Sequence, residues 1–403
     1  MWKLVCKLFA YLKGRKKVPK MFSGGEGTLQ KPYLISTVED FLLINAHLSA
    51  HFRQIKDIDF SEDEIAPIGT EEGNIFSGVY DGDNFLLNNV TIRGVGDGTA
   101  LFDRCSRAIL KNIHLNNANV YPVPNNGKTR SALLCNTINE GTVIENCHVQ
   151  GAILDVSSSS YSSAGGAGIA NISDQDCVIK KCSAHLQISQ TGFAAGLVVF
   201  NGGEIHDSYA FLTVDDVYEI GTIVHTNNES GNVYNSYTVL SFTRARYIYF
   251  PCINRRDDYG FHNSFFDCNT LGGDDWEPGR YYYDGTDFVK GTDGNLYKCI
   301  QMQSDKDYSY WEPGWTQPPS WWPPPMYSAR PIDGVAYSQY WEAIGPTNTE
   351  GARTTIQMKS KNNYEGWDFN SIWQISEGKS YPTFKRPKVV KCNSIPLTKL
   401  TVN

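Results

Sequence analysis

The sequence predicts an all-β protein: a right-handed parallel β-helix with a small inserted β module and an N-terminal amphipathic anchor. Short strings that alternate polar and apolar residues recur along the middle of the chain, and a segment of different composition interrupts its later part. A chain of 403 residues with 41% apolar residues can bury the core of one elongated domain. We divide the chain into an anchor at residues 1–21, a β-helix at 22–273, an inserted module at 274–346, and a closing coil with a C-terminal tail at 347–403.

The first 21 residues have the pattern of an amphipathic helix. Trp2, Val5 and Phe9 fall on one stripe, whereas Lys3 and Lys7 interrupt the apolar run and no signal-peptide cleavage site follows. We expect this stretch to dock the chain onto a partner protein or a membrane surface, and a frayed terminus is the alternative. The sequence contains no run of eighteen apolar residues, so it predicts no membrane-spanning helix.

The repeated strings become visible when they are aligned as LLNNVT, ILKNIH, VIENCH, VIKKCS, EIHDSY, NVYNSY and GFHNSF. Their irregular spacing favours short strands joined by turns of variable length, which is typical of a parallel β-helix. We interpret each string as one strand whose polar fourth position belongs to a hydrogen-bonded ladder along the stack. The residues at this fourth position are Asn89, Asn112, Asn146, Lys181, Asp207, Asn235 and Asn263.

The fifth position of the strings is apolar or small and is predicted to face inward. It places Cys147 and Cys182 on neighbouring coils, either as a buried thiol pair or as a disulfide. The first is favoured because a shared inward position explains both residues without a redox role. Ten cysteines with no C-x-x-C pair exclude a zinc knuckle and favour folding in a reducing compartment.

Small residues precede most of the polar strings. Glycine and alanine permit a close approach of the chain, so these segments are predicted to form a second corner of each coil. They lie at residues 98–102, 131–135, 167–171, 194–199 and 220–224.

Several longer strings carry a family resemblance. FSGGEGTLQKPYLIST at 22–37, IKDIDFS at 55–61 and FSGVYDGDN at 76–84, with the small-residue corners, resemble the GLUG-motif β-helix proteins of bacterial surface adhesins, secreted proteases and phage structural proteins. YEGWDFNSIWQISEGKSYPTF at 364–384 is similar to the terminal coil of that family. The resemblance covers about residues 22–268 and 352–386, and it implies a β-helix without identifying a catalytic residue.

Acidic residues in these strings are interpreted as structural. Asp81, Gly82 and Asp83 are predicted to form a turn, because Asp and Gly tolerate left-handed backbone and Asp bonds nearby amides. A metal or acid/base site is the alternative. We predict neither a metal ion nor a cofactor.

Residues 274–346 are rich in Trp and Pro, and they resemble small chitin-binding-type carbohydrate modules. Gly294, Tyr297, Cys299, Tyr340 and Trp341 match the hairpin and the closing aromatic strand of such modules. Of these, Tyr297, Tyr340 and Trp341 are expected to form a miniature core.

The proline-stiffened loop of this segment supplies the predicted binding residues. Sugar rings pack their C–H faces against indole rings, so exposed Trp side chains held by prolines form a suitable platform. The alternative is that these rings pack onto the β-helix or onto a partner subunit. The predicted carbohydrate-binding residues are Trp311, Trp315, Trp321 and Trp322.

Three functions fit these features. The first is a virion adhesin, a receptor-binding tail or spike protein of a bacteriophage that holds a host surface polysaccharide and contacts other virion proteins through its N-terminal segment. The second is a bacterial surface or secreted adhesin. The third is a tailspike-type enzyme that cuts the polysaccharide, with Asp215, Asp216 and Glu219 as candidate acids, although no paired motif marks them as catalytic.

Composition narrows the range of partners. A net charge of -7 argues against nucleic-acid binding, which needs clustered Lys and Arg. An aromatic content of 13%, with 23 Tyr and 9 Trp, is typical of chains that grip another molecule. A homotrimer is a further hypothesis for the assembly.

Overall fold

The structure of the protein is a computed structural model. It describes residues 22–61, 63–70, 73–95, 98–123, 129–154, 164–242, 245–249, 253–254, 260–271, 274–275, 288–290, 296–299, 341–346, 349 and 351–385.

Parallel strands stack into three long sheets, and each full coil contributes to all three, which confirms the β-helix. Within the described residues, sheet A contains Tyr33–Ile35, His51–Gln54, Val79–Asp81, Ile109–Lys111, Val143–Glu145, Val178–Lys180, Glu204–His206, Asn232–Tyr234 and Phe261–His262. Sheet C contains Phe102–Ser106, Cys135–Asn139, Ala170–Ser173, Val198–Asn201, Val224–Asn227 and Ile253–Asn254.

Sheet B is the largest sheet, and several coils enter it with two strands separated by an irregularity. Its described strands are Ile58–Asp59, Glu64–Ile65, Leu86–Asn88, Thr91–Val95, Gly98–Thr99, His114–Val123, Thr129–Ala132, His148–Ile153, Ala164–Ala167, Ser183–Ala195, Tyr209–Gly221, Tyr237–Phe242, Ala245–Tyr249, Phe265–Asp267 and Ala352–Arg353.

The remaining elements are short. Helical turns occupy Val38–Leu42, Leu43–Ala46, Thr355–Met358 and Lys361–Asn363. A mostly antiparallel sheet contains Asp274–Asp275, Phe288–Lys290, Leu296–Cys299 and Trp341–Ala343, and a hairpin contains Trp373–Gln374 and Thr383–Phe384. No helix in the described part of the chain has the length and apolar character needed to cross a bilayer.

The repeated strings form corners, so their interpretation as single strands is wrong. In ILKNIH, Ile109–Lys111 belongs to sheet A and His114 begins the next strand of sheet B. Asn112 lies between them with a φ of 55°, and every later residue at the fourth position shares this left-handed conformation. Asn and Asp tolerate left-handed backbone better than other residues with a Cβ atom, which explains the polar fourth position.

The row of fourth-position residues is confirmed from Asn112 onward and needs a correction before it. The hydrogen-bonded ladder is interrupted at Lys181, with side-chain bonds joining Asn112 to Asn146 on one side and Asp207 to Asn235, over 3.5 Å, on the other. Asn146 Nδ2 donates to Asn112 Oδ1 over 2.8 Å, and Asn112 Nδ2 donates to Asp81 Oδ1 over 2.8 Å. Asn89 belongs to a different row, because its Oδ1 accepts from Asn117 Nδ2 and the strand before it pairs with His114–Val123. LLNNVT therefore aligns with a second bend of the coil, inside sheet B.

The inward fifth position is confirmed, and it holds a second ladder. Ser208, Ser236 and Ser264 are buried, and each hydroxyl accepts the backbone N–H of the fifth-position residue one coil earlier, at 3.1, 3.1 and 3.2 Å. Cys147 and Cys182 occupy the same row on earlier coils, and both are free thiols, which confirms the thiol-pair interpretation. Small polar residues are tolerated here because the backbone of neighbouring coils satisfies their hydroxyl groups.

The small-residue strings form the corner between sheets B and C, as predicted. A Cβ atom on Gly168 would lie 2.2 Å from the Cβ of Ala184, and one on Gly196 would lie 2.7 Å from the Cβ of Ala210. Side chains at these two positions would force the corner away from the opposite sheet. Buried Leu and Ile residues beside the glycines fill the rest of the interior.

The C-terminal segment, residues 355–385, differs from the expected terminal coil. Only Ala352–Arg353 continues sheet B, pairing with Phe265–Asp267. The following segment lies on the outer face of sheet B, where Trp367 and Trp373 are buried against Tyr209 and Tyr237. Aromatic residues at outward positions of these late coils therefore serve as a docking surface for the chain's own C-terminal segment.

The two remaining domain boundaries stay predictions. Residues 1–21 lie outside the described residues. Between residues 274 and 346 the described strands form a sheet of their own, and Leu296 and Ile344 are buried in the same apolar cluster as the coil interior.

Candidate functional site

A groove of about 620 Å³ runs across the coils on the outer face of sheet B. We call it the histidine groove. It begins where the C-terminal segment stops covering this face. The described residues that line it are Asn84, Leu86, His114, Leu115, Asn116, Asn146, His148, Val149, Gln150, Ser183, His185, Tyr209, Gln374, Thr383, Phe384 and Lys385.

The strand register of sheet B shows which residues form the floor of the groove. His114, His148, Ser183 and Tyr209 pair directly with one another on successive strands, so their side chains form one outward row. Gln150 and His185 pair in the next outward row. Neighbouring parallel strands lie about 4.8 Å apart, so four strands carry a row about 14 Å long. An extended ligand that crosses the coils would meet each of these side chains in turn.

The imidazole of His148 is held in place at the centre of the groove. Its Nδ1 lies 2.9 Å from Ser183 Oγ, and its Nε2 lies 3.3 Å from Asn146 Oδ1. The ring also contacts the His114 ring edge to face, with centroids 4.8 Å apart. His148 is thus fixed by polar groups on both sides, which leaves its face for contacts in the groove.

The C-terminal segment forms one wall. The Phe384 ring lies 5.3 Å from the His148 ring and 5.2 Å from the Tyr209 ring, measured between centroids. Behind it, Trp373 packs on Phe384 at 4.8 Å. Lys385 and Gln374 add polar groups to the rim. The groove therefore combines an aromatic wall with a polar floor.

Burial keeps the histidines of the groove neutral near pH 7. It lowers the pKa of His148 to about 4, and repulsion from His114 and His185 acts in the same direction. Partial burial also lowers the pKa of His114 and, although its side chain reaches solvent, of His185. Neutral imidazoles both donate and accept hydrogen bonds, as the neighbouring amides do, so the floor suits a ligand rich in hydroxyl groups.

Ser183, His148 and Asn146 form a chain of contacts that resembles a nucleophile, a base and an orienting group. Catalysis at this chain is disfavoured because Ser183 is only 4% exposed beneath the neighbouring rings. In addition, the backbone N–H groups of the paired strands point along the sheet toward their neighbours, so none of them faces the groove to stabilise an oxyanion. The arrangement fits binding better than acyl transfer.

The candidate acids of the enzyme hypothesis lie outside the histidine groove, and the two with described side chains are not placed as a pair. Asp215 is exposed on Tyr209–Gly221, and Glu219 Oε2 lies 3.2 Å from Nε2 of the buried His225. Asp216 lies in the same strand, but its side chain is outside the described part. Four residues along a strand span about 13 Å, which exceeds the roughly 5–10 Å between glycosidase carboxylates.

The turn predicted at Asp81, Gly82 and Asp83 is confirmed. Asp83 has a φ of 47°, and its N–H donates to Asp81 Oδ1 over 3.0 Å. Asp83 also pairs with Arg53 at 2.7 Å, and Asp81 pairs with Lys111 at 3.2 Å. Among the described residues, no group of three or more His, Cys, Asp or Glu side chains is placed to hold a metal ion.

The predicted sugar platform lies outside the described residues, because Trp311, Trp315, Trp321 and Trp322 all fall there. Sequence reasoning missed the histidine groove, although a signal was present. The sixth position of the aligned strings holds His114, His148, Ser183 and Tyr209 in successive coils. That position is the outward row of sheet B, and a sequence of histidine, serine and tyrosine there predicts a polar, aromatic surface.

Comparisons with known proteins give a limited result. No protein-family model matches the chain. No curated protein matches it either. Similar solved structures include a proposed immunoglobulin A1 protease from Bacteroides ovatus, with 17% identity, a TM-score of 0.47, and coverage of 68% of this chain and 94% of that one. Another is an IgA1 protease with 15% identity and a TM-score of 0.39, covering 66% of this chain and 23% of that one. At these levels neither structure says anything about the activity of this chain.

Proposed function

We propose that this chain is an adhesin-type β-helix of a bacterial surface or a secreted protein, and that it binds a glycan in the histidine groove. The observation that carries the proposal is the lining of the groove. Side-chain amides and neutral imidazoles bond hydroxyl groups, and the adjoining aromatic rings offer faces for the C–H surfaces of sugar rings. A volume of about 620 Å³ lies in the usual range of ligand sites.

The predicted resemblance to GLUG-motif proteins is compatible with the extracellular setting, because that family includes surface adhesins and secreted proteases as well as phage structural proteins. A virion receptor-binding protein is the second candidate. It is favoured by the basic amphipathic stretch at residues 1–21, which suits attachment to a larger assembly. Both candidates use the same glycan-binding chemistry and differ in where the chain is displayed.

The experiment is a glycan array with the full chain, followed by calorimetric titration of the glycans that bind. Gln150→Ala and His185→Ala remove exposed polar groups from the groove floor, and each should weaken binding about two- to tenfold. Gln187→Ala is the matched control, because Gln187 is exposed two residues beyond His185 on the same strand and does not line the groove.

Normal binding by both groove variants would move the site elsewhere. If Trp315→Ala, Trp321→Ala and Trp322→Ala abolished binding instead, the inserted module would be the glycan site, as the sequence predicts. If no glycan bound to the chain, the adhesin proposal would be wrong.

A further inference from the structure

The histidine groove contains no carboxylate among the described residues that line it. The protein as a whole carries 43 Asp and Glu against 36 Lys and Arg, so the lining differs in charge from the average of the chain. The ionisable groups on the lining are three histidines, Tyr209 and Lys385. Each of these, apart from the tyrosine, is cationic or becomes cationic on protonation.

Four carboxylates that lie close to lining residues in the sequence, or that bond to one of them, have partners of their own. Asp57 Oδ1 accepts the backbone N–H of the lining residue Leu86 over 2.8 Å. Asp207 accepts from Trp373 Nε1 at 3.3 Å, on the far side of the aromatic wall. Glu145 pairs with Lys180 at 3.3 Å on sheet A. Asp83, beside the lining residue Asn84, pairs with Arg53. The charged and titratable side chains that line the groove around His148 are therefore His114 and His185 from the floor, Tyr209 from two coils further on, and Lys385 from the C-terminal segment.

One polar atom of the histidine row has no partner. His114 Nε2 is buried and has no hydrogen-bond partner in the protein. An anion bound in the groove would stabilise the protonated form of these histidines, because no carboxylate of the described lining is present to neutralise their positive charge. On a protein of net charge -7, a groove whose described lining holds no carboxylate also repels an anionic ligand less than the acidic parts of the surface do.

We infer that the histidine groove selects an acidic glycan, a polysaccharide that carries carboxylate or sulfate groups, and that it takes up protons when the glycan binds. This inference rests on the proposed function, because it names the class of glycan for the same groove. The anionic groups would lie over the histidine row, while the sugar rings contact the wall at Phe384. Neutral sugars would lose the charge-assisted hydrogen bonds that protonated imidazoles supply.

The direction of the pH dependence follows from linkage. Burial holds the free imidazoles below their ordinary pKa, so they are neutral at pH 7.5. A bound anion raises these pKa values, so the complex binds more protons than the free protein and the affinity rises as the pH falls. If one imidazole returns to a pKa of about 6.5 in the complex, the affinity increases about tenfold between pH 7.5 and 5.5.

The test is calorimetric titration of the full chain with polygalacturonate, dextran sulfate and dextran at pH 7.5, 6.5 and 5.5. Dextran is the neutral match of dextran sulfate, and polygalacturonate supplies the carboxylate arm. Two buffers of different ionisation enthalpy at each pH measure the protons taken up. We expect binding of at least one of the two anionic polymers, with proton uptake and the tenfold rise in affinity, and much weaker binding of dextran.

Variants assign the effect to the groove. His148→Gln and His185→Gln should each reduce proton uptake and flatten the pH profile, and the exposed His185 serves if His148→Gln fails to fold. His206→Gln is the control, because His206 lies on sheet A beside Glu204. Anionic binding that is unchanged in both groove variants, or that is independent of pH, would overturn the inference. Tight, groove-dependent binding of dextran without proton uptake would overturn it and leave the proposed function standing, whereas the absence of any glycan binding would overturn both.

Discussion

At each corner between sheets A and B, a single residue adopts the left-handed backbone conformation. Asn146 combines a φ of 51° with a side-chain hydrogen bond to Asn112. Replacing it with Leu removes the bond and places an apolar side chain without local hydrogen bonds on left-handed backbone, which Leu adopts less readily than Asn. We expect Asn146→Leu to lower the free energy of unfolding by about 1–3 kcal/mol, measured by urea denaturation.

A glycine variant separates the two contributions to this loss. Asn146→Gly keeps the left-handed backbone free of strain and removes the same side-chain contacts with Asn112 and His148 as Asn146→Leu, so it should cost less than Asn146→Leu. Equal stability of wild type and Asn146→Leu would show that the ladder is incidental to the stack.

The buried imidazole of His148 links folding to pH. Its pKa of about 4 in the folded protein lies below the value of about 6.5 in the unfolded chain, so the unfolded state binds more protons between these values. Stability is therefore unaffected above about pH 6.5 and falls as the pH drops through this window. His148 should account for about 2 kcal/mol of the loss between pH 7.5 and 5.

The measurement is urea denaturation of wild type and His148→Gln at both pH values. The variant should lose less stability on acidification than the wild type, because Gln does not titrate. Parallel loss in the two proteins would mean that the imidazole is solvated in the folded state.

At the scale of the element, the sequence predicts the stacking of the coils better than it predicts where each strand begins and ends. The alternation of polar and apolar residues correctly predicts outward and inward side chains, because the same alternation is present at a corner. It did not reveal that Asn112 ends one strand and that His114 begins another, since a single left-handed residue leaves no mark on hydrophobic periodicity. The misplacement of Asn89 has the same origin, because two different bends both use asparagine.

The location of the C-terminal segment on the outer face of sheet B could not be predicted from the sequence, for a different reason. Its aromatic residues suit a coil interior as well as an external docking surface, and local pattern does not distinguish the two. The histidine groove as a whole could not be predicted, for a related reason. Its wall comes from Phe384 and its floor from His114, His148 and Tyr209, far earlier in the chain, and only the tertiary fold brings them together.

Docking of this segment depends on Trp373, which is fully buried between Trp367, Phe384 and the outer face of sheet B. Trp373→Ala should cost about 3–5 kcal/mol. The loss should release residues 355–385 without unfolding the stack, because this aromatic cluster is separate from the coil interior. Hydrogen exchange should show faster exchange in that segment while sheets A and C stay protected.

Ile356→Ala is the control for that variant. Ile356 belongs to the same segment and is 83% exposed, so its truncation should change stability by no more than about 0.5 kcal/mol. Faster exchange throughout the coils of the Trp373 variant would instead show that the segment is required for the stack itself.

In the whole molecule, the stack provides a long repetitive surface, and the C-terminal segment covers only part of it. The late coils present Tyr237 and Phe265 to this segment, whereas the earlier coils present His114 and His148 to the groove. The outward row thus changes from polar to apolar where the covering begins. Position along the stack, rather than any single motif, determines which part of sheet B is free to bind.

The last prediction concerns the segment between the two parts of the stack. Phe266 N–H donates to Gly351 O over 2.9 Å, and Phe265–Asp267 pairs in parallel with Ala352–Arg353, so the stack continues across the segment. Parallel neighbours need a crossover of about twelve residues or more. Replacing residues 276–340 with about twelve Gly and Ser residues should therefore preserve the stack. The deletion also removes the buried Leu296, and this loss should lower the free energy of unfolding of the stack by about 2–5 kcal/mol.

This deletion also separates the two glycan hypotheses, since it removes the predicted Trp platform and leaves the histidine groove. Circular dichroism melts should show a cooperative transition at a lower temperature, and calorimetric titration should show unchanged binding to the groove ligand. Loss of binding with a cooperative melt retained would assign the glycan site to the inserted module. Loss of the cooperative melt would show that the segment closes the end of the stack, in which case the division at residues 274–346 is wrong and the segment belongs to the β-helix itself.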